Sequence, residues 1–271
     1  MISLPRLYPI LDADCFRETE SLITTAKELA SAGCTLIQYR NKSGTARVML
    51  EQARELRRRL TGPLLRHPER SRSSGGARDL ARSDRGQAPR EIPRPAGKGA
   101  GLRDDAVEYE TSQIQMDAPS IRLIMNDRAD LCLAAEFDGV HVGQDDLSAE
   151  SVRNIIGRGE QGWGEQENAR WLGVSTHNPE QLREADLTSA DYLAIGPVFA
   201  TSSKERPDPV IGLEGVRRAR VVTRKPLVAI GGITRANAAS VIEAGADSVA
   251  VISDLLRDPG KSAEEFLRIL R

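Results

Sequence analysis

Three cations, a set of carboxylates and a pair of glycines stand at spacings that suit phosphate chemistry. From Asp191 to Lys204 the chain reads DYLAIGPVFATSSK. Tyr192 to Ile195 is a short apolar run of the kind buried in a parallel sheet. Gly196-Pro197 stops it, and the loop beyond offers the hydroxyls of Thr201 and Ser203 and the cation of Lys204. Taken alone, this is as much a polar surface loop as the lip of an anion pocket. Other apolar runs end in the same manner. Thr35 to Tyr39 leads into Arg40 and Lys42, and strand alternation would turn Gln38, Arg40 and Lys42 the same way. Ile121 to Met125 leads into Asn126 and Asp127, and Gly139 to Val142 into Asp145 and Asp146. Trp171 to Val174 leads into Ser175 and His177, Leu227 to Ile230 into Gly231-Gly232, and Ser248 to Ile252 into Ser253.

The residue types divide by chemistry. Arg40, Lys42 and Lys204 suit a phosphate or diphosphate. Asp127 and one of Asp145 or Asp146 are hard oxygen ligands from neighbouring runs. They suit magnesium, which takes one or two protein carboxylates and completes its shell with water and substrate phosphate. Gly231-Gly232 precedes a helix start, where backbone N–H groups can hold a second phosphate. Each piece has an ordinary explanation too. Asp127, Asp145 and Asp146 could be loop or cap residues, His177 a helix-start residue, and the glycines a tight turn. His141 alternates with Val140 and Val142 and could face the interior or simply form part of a wall. What favours a site is the concentration of these groups at the ends of apolar runs.

The elements that must position them follow from periodicity. Strands are expected at Leu7–Leu11, Thr35–Tyr39, Ile121–Met125, Gly139–Val142, Trp171–Val174, Tyr192–Ile195, Leu227–Ile230 and Ser248–Ile252. Helices are expected between and after them: Thr19–Ala32 with Gly33 as its C-terminal cap, Ala46–Leu60, Arg128–Glu136, Ser148–Ile156, Asn178–Leu187, Leu213–Val222, Thr234–Ala244 and Ala263–Leu270. Eight alternating strand and helix patterns predict an α/β protein with a (β/α)8 TIM barrel as a single domain over 1–271. An open doubly wound sheet is the second choice, weakened because no Gly-x-Gly-x-x-Gly follows the first strand. In the barrel, strand C-termini form the site.

Pro63 to Pro119 breaks the pattern. It is rich in Arg, Ser, Gly and Pro and has almost no apolar periodicity. It cannot bury enough apolar surface to offset its ordering entropy and is expected to be a disordered insertion between the second helix and the third strand. Its excess of Arg over acidic residues could make it a tether for nucleic acid or an acidic partner, but the near absence of aromatic residues leaves no stacking platform. An insertion there enters on the N-terminal face of the barrel, away from the strand ends that carry the chemistry, and is expected to be dispensable for turnover.

With 271 residues and a net charge of −1, the chain has ample core and no global pull toward nucleic acid or membranes. No apolar run approaches a membrane span, and no secretion signal is visible at the N-terminus. Cys15, Cys34 and Cys132 match neither a zinc spacing nor a disulfide framework, so a cytoplasmic protein is expected.

Six segments together resemble the thiamine phosphate synthase family: Gln38–Lys42, Asn126-Asp127, His141–Asp146, Gly173–His177, Gly196–Lys204 and Ile230–Ile233. The resemblance runs from Leu7 to the end, apart from the insertion. It implies joining of 4-amino-2-methyl-5-hydroxymethylpyrimidine diphosphate to a thiazole phosphate, or its carboxylate, with release of diphosphate (and of carbon dioxide from the carboxylate). It also implies a dissociative mechanism through a pyrimidine carbocation that the thiazole nitrogen captures. Under it Arg40, Lys42 and Lys204 are catalytic. Gln38, Asn126 and Ser175 join them in holding the pyrimidine diphosphate, while Thr201, Ser203, Gly232, Ile252 and Ser253 hold the thiazole phosphate. Asp127 and Asp146 bind one Mg2+ per subunit. The implied partners are small phosphorylated molecules, with a homo-oligomer left open. Ser203 stands where the family usually has threonine and keeps the hydroxyl. Two alternatives remain: a thiazole tautomerase, which would use His177, and a catalytically silent phosphate-binding barrel.

Overall fold

The computed structural model describes residues 2–61, 121–157, 169–201 and 208–271. Eight parallel strands close into a barrel in sequence order. They are β1 Leu7–Asp12, β2 Leu36–Arg40, β3 Arg122–Asn126, β4 Gly139–Val142, β5 Trp171–Thr176, β6 Tyr192–Ile195, β7 Leu227–Ile230 and β8 Ser248–Val251. The helices are α1 Thr19–Ser31, α2 Ala46–Thr61, α3 Ala129–Ala134, α4 Ala149–Ile156, α5 Pro179–Asp186, α6 Gly212–Val222, α7 Ala238–Glu243 and α8 Pro259–Ile269. The barrel expected from the sequence is therefore present. An open sheet is excluded by the pairing of β8 with β1, with Leu7 opposite Val249. The segment 63–119, which falls in the chain between α2 and β3, lies outside the described residues, as do Ser203 and Lys204.

Alternation along each strand sends successive side chains to opposite faces. Inward, Tyr8, Ile10, Leu36, Ile124, Trp171 and Tyr192 pack within the barrel. Outward, Leu11, Ile37, Leu123, Val140, Leu172 and Val249 join the helices in a second, larger core. A sheet covered on both faces explains why the strands read as nearly unbroken apolar runs.

Helix ends follow local chemistry. Gly33 has φ +101, and Cys34 N–H donates to Leu29 O at 3.1 Å, closing α1 in a Schellman turn. Ser148 accepts from Ser151 N–H ahead of α4, and Asn178 accepts from Gln181 N–H ahead of α5. Two helix starts differ from expectation. Thr234 does not cap α7. Asn237 accepts from Thr234 N–H at 2.8 Å and donates to Gly232 O at 3.1 Å, holding a turn that delays the helix to Ala238. α8 begins at Pro259 rather than Ala263, because Asp258 is its N-cap, accepting from Lys261 N–H, and proline suits the first helical position.

The N-terminal face carries one arrangement three times. Asp138, Asp191 and Asp247 stand immediately before β4, β6 and β8. Each carboxylate accepts a backbone N–H of the preceding strand, from Leu123, Leu172 and Leu227 at 2.8, 2.7 and 2.8 Å. Each also binds an arginine from the helix two positions back around the ring: Arg57 of α2 at 2.7 Å, Arg153 of α4 at 2.6 Å and Arg220 of α6 at 2.8 Å. These clasps tie helix to sheet at the end opposite the candidate site.

Cys34 and Cys132 are buried, and burial pushes both thiols up to about 12, whereas Cys15 is exposed. The thiolate is the reactive form. A thiol reagent should therefore label Cys15 in the native protein and reach the other two only on denaturation. Mass spectrometry of peptides labelled before and after urea treatment checks this; rapid native labelling of Cys34 or Cys132 would contradict the packing.

Candidate active site

Chemistry gathers at the C-terminal end of the barrel. Strand register places Asp12 beside Arg40, and the buried Asp12 carboxylate binds the Arg40 guanidinium. Asp12 did not figure among the sequence candidates. The available signal was an acid at the end of the first strand, two positions beyond Ile10 and so on the inward face. Lys42 lies past the end of β2, yet its ammonium reaches the carboxylate of Asp127.

Asp127 is not a helix cap. Arg128 precedes α3, and no side chain caps that helix. Asp127 instead adopts φ +61, an uncommon conformation outside glycine that aspartate tolerates better than most residues. Its carboxyl is held above the usual range, chiefly by burial and further by Asp146, against the pull of Lys42. Asp146 accepts from Gly143 N–H at 2.8 Å, and capping of α4 falls to Ser148. Asp145 is exposed. The juxtaposed acids are thus Asp127 and Asp146, the pair that the family resemblance implies. Two carboxylates brought together from neighbouring strand ends make a donor set that a hydrated divalent cation fits. Among the described residues no larger cluster of metal-binding side chains exists, and magnesium needs none.

Gln38 is buried and donates through Nε2 to Tyr8 Oη at 3.0 Å. Tyr8 Oη lies 2.9 Å from Tyr192 Oη, which lies 3.1 Å from His141 Nδ1. His141 Nε2 is 2.8 Å from Ser175 Oγ. Five side chains from β2, β1, β6, β4 and β5 thus form one line across the barrel interior. His141, whose orientation the sequence left open, faces inward. Burial pushes its imidazolium down to about 4, against a weaker opposing effect of Asp146, so the ring is neutral at pH 7. Gly173 makes room for this line, since a Cβ there would stand 2.2 Å from Tyr192 Cζ and 2.4 Å from His141 Nδ1.

The opposite side of the mouth is backbone-rich. Gly231 and Gly232 have φ +99 and +62. A Cβ on Gly232 would approach Ala200 O to 2.4 Å. Val198 N–H donates to Ile230 O at 2.9 Å and Phe199 N–H to Gly231 O at 3.0 Å, lacing the loop after β6 onto the end of β7. That lacing brings the segment entering Thr201 beside Gly232. β8 ends at Val251, and Ile252 turns the chain into a single 3-10 turn starting at Ser253, which is exposed. Asn126 ends β3 opposite His141. His177 donates from Nδ1 to Gly196 O at 2.9 Å and lies 3.5 Å from Asp208, tied to the end of β6.

The model of the family described as thiamine monophosphate synthase matches residues 103–255. The thiamine-phosphate synthase of Koribacter versatilis is 47% identical over 99% of this chain and 97% of that protein. This match spans nearly the full length of both chains. The thiamine-phosphate synthase of Chloroflexus aurantiacus is 34% identical over 98% of this chain and 92% of that protein. Among solved structures, thiamine phosphate pyrophosphorylase from Pyrococcus furiosus superposes with a TM-score of 0.64, at 26% identity, covering 98% of this chain and 95% of that one.

Proposed function

The chain belongs to the thiamine-phosphate synthase family of transferases, and we propose that its barrel mouth carries out that reaction with the following division of labour. Arg40, Lys42 and Lys204 bind the diphosphate of the pyrimidine substrate, and Asn126 assists. Gln38 holds the pyrimidine, and Ser175 sits on the side where the pyrimidine joins its diphosphate. Thr201, Ser203, the Gly232 N–H, Ile252 and Ser253 hold the thiazole phosphate. Asp127 and Asp146 would hold Mg2+, which when bound neutralises charge on the diphosphate. Cleavage breaks the bond between the pyrimidine methylene carbon and the diphosphate oxygen, and the electron pair leaves with diphosphate. The thiazole nitrogen then donates its pair to the methylene cation. No base of unusual pKa is needed, because the nucleophile is a ring nitrogen.

The observation that carries this reading is the meeting of Lys42, Asp127 and Asp146, with Arg40 at the last position of the neighbouring strand β2. A tautomerase has no use for diphosphate cations and paired carboxylates, and the relatives do not support that alternative or a silent barrel. Asp12 adds a physical element: by fixing Arg40 before substrate arrives, it reduces the reorganisation needed as charge develops on the leaving group. The substrates are small phosphorylated molecules. No helix among the described residues is long and apolar enough to cross a membrane, and a cytoplasmic location fits the unpaired cysteines.

The test is diphosphate release on mixing both substrates, with and without magnesium, for the parent protein and Lys204→Ala. Magnesium-dependent release with thiamine phosphate formed, and a loss of at least about a hundredfold in the variant, is expected. Release that ignores magnesium, or full activity in Lys204→Ala, would overturn the assigned roles.

A further inference from the structure

The line of hydrogen bonds from Gln38 to Ser175 has a direction. With the Gln38 amide nitrogen on Tyr8 Oη at 3.0 Å, Tyr8 accepts there, because an amide nitrogen only donates. Tyr8 is fully buried, and its remaining partner is Tyr192 Oη at 2.9 Å, so its own hydrogen goes to Tyr192. Tyr192, equally buried, then has one place for its hydrogen, His141 Nδ1 at 3.1 Å. A neutral imidazole that accepts at Nδ1 carries its proton on Nε2 and donates it to Ser175 Oγ at 2.8 Å. The Ser175 hydroxyl hydrogen is left over at one end. Gln38 Oε1, turned away from Tyr8, is left over as an acceptor at the other.

We infer that this relay is a polarised device matched to the charge separation of the reaction: its acceptor end, Gln38 Oε1, faces the ring amine of an aminopyrimidine diphosphate, and its donor end, Ser175 Oγ–H, faces the departing diphosphate. The inference rests on the roles proposed above for Gln38 and Ser175. As the bond to diphosphate breaks, positive charge spreads onto the ring amine and strengthens its bond to an acceptor. Negative charge grows on the leaving oxygen and strengthens its bond to a donor. Both ends therefore bind the transition state better than the substrate. Tyr8, Tyr192 and His141 touch neither reacting group in this arrangement. They are positioning residues that fix which way Gln38 and Ser175 present their hydrogens. Gly173 is part of the device, since any side chain there would fill the space through which Tyr192 meets His141.

The sequence holds three histidines, so the 15N spectrum of imidazole-labelled protein is simple, and loss of one set of signals in His141→Asn assigns His141. The expected result in the parent is a protonated Nε2 and an unprotonated, hydrogen-bonded Nδ1. Tyr192→Phe removes the hydroxyl that Nδ1 accepts from and should shift the Nδ1 signal or populate the other tautomer. In the same variant kcat should fall roughly ten- to a hundredfold, with KM for the thiazole phosphate within about twofold of the parent. Ser175→Ala should then cost much less in the Tyr192→Phe background than alone. A protonated Nδ1 in the parent would overturn the inference, since the relay would then run the other way with the Gln38 amide turned over. Unchanged kcat in a folded Tyr192→Phe would overturn it as well. The tautomer is read without turnover. A parent protein with the expected tautomer but no thiamine phosphate formed would therefore remove the proposed reaction and leave the polarity of the relay standing.

Discussion

Asp127→Asn is expected to lower kcat by about a hundred- to a thousandfold while leaving the thermal midpoint unchanged or slightly raised. The two effects have separate causes. Asparagine has nearly the shape of aspartate and also tolerates positive φ, so the +61° backbone at this position survives the change. Removing the charge also ends the cost of burying an anion, which chiefly raises the Asp127 carboxyl in the free enzyme, and the smaller repulsion from Asp146. What is lost is the anion facing Lys42 and, under the proposed reading, one of two magnesium ligands. Steady-state turnover at saturating magnesium, with a thermal melt of the same sample, separates fold from chemistry. A variant within about threefold of parental kcat would remove Asp127 from the catalytic scheme. Asp127→Ala is a poorer choice, because alanine resists the left-handed backbone and would mix a structural cost into the result.

Gly173→Ala is expected to destabilise the barrel by about 3 kcal/mol, a fall of roughly 6–12 °C in melting midpoint. The added methyl group would meet the Tyr192 ring and the His141 imidazole at 2.2 and 2.4 Å. Neither can swing away, since both rings are buried and packed inside a closed sheet. Under the proposed reading the damage should be local in function as well: KM for the pyrimidine diphosphate is expected to rise, while that for the thiazole phosphate, assigned to the far side of the mouth, changes little. Adding Tyr192→Leu to Gly173→Ala removes the obstructing ring and should restore part of the stability without restoring pyrimidine binding. Chemical denaturation of the two single variants and the double variant measures this. A Gly173→Ala protein as stable as its parent would mean that the interior is looser than these distances allow.

Much of this was legible in the sequence, for identifiable reasons. β4, β6 and β7 begin and end at the expected residues, because Gly-Pro, Gly-Gly and an aspartate-rich loop punctuate short apolar runs. The meeting of Lys42 with Asp127 and Asp146 follows once strand order is known, since barrel strands bring their C-terminal ends to one place. Spacing alone did not choose between Asp145 and Asp146, because that depends on which carboxylate the loop turns inward; the family resemblance pointed to Asp146. The interior relay was hidden for a similar reason. Tyr8, His141 and Tyr192 each stand in an apolar run where an aromatic or a histidine reads as core, and only the register across β1, β4, β5 and β6 makes them one line. Asp258-Pro259 could have been read as a helix start. Asn237 could not, as its influence passes through a turn formed with Thr234.

The clasp between Arg57 and Asp138 joins the two sides of the long connection from α2 to β3. It follows that chain continuity through 62–120 is not what holds α2 to the sheet. A protease cut in that connection would leave an N-terminal fragment bearing Gln38, Arg40 and Lys42, and a C-terminal fragment bearing Asp127, Asp146 and Ser175. The β2–β3 ladder, the β1–β8 seam and the Arg57 clasp all cross between them. The nicked enzyme would behave as a non-covalent heterodimer whose active centre exists only while both halves are together, so its activity would fall with dilution where that of the intact chain does not.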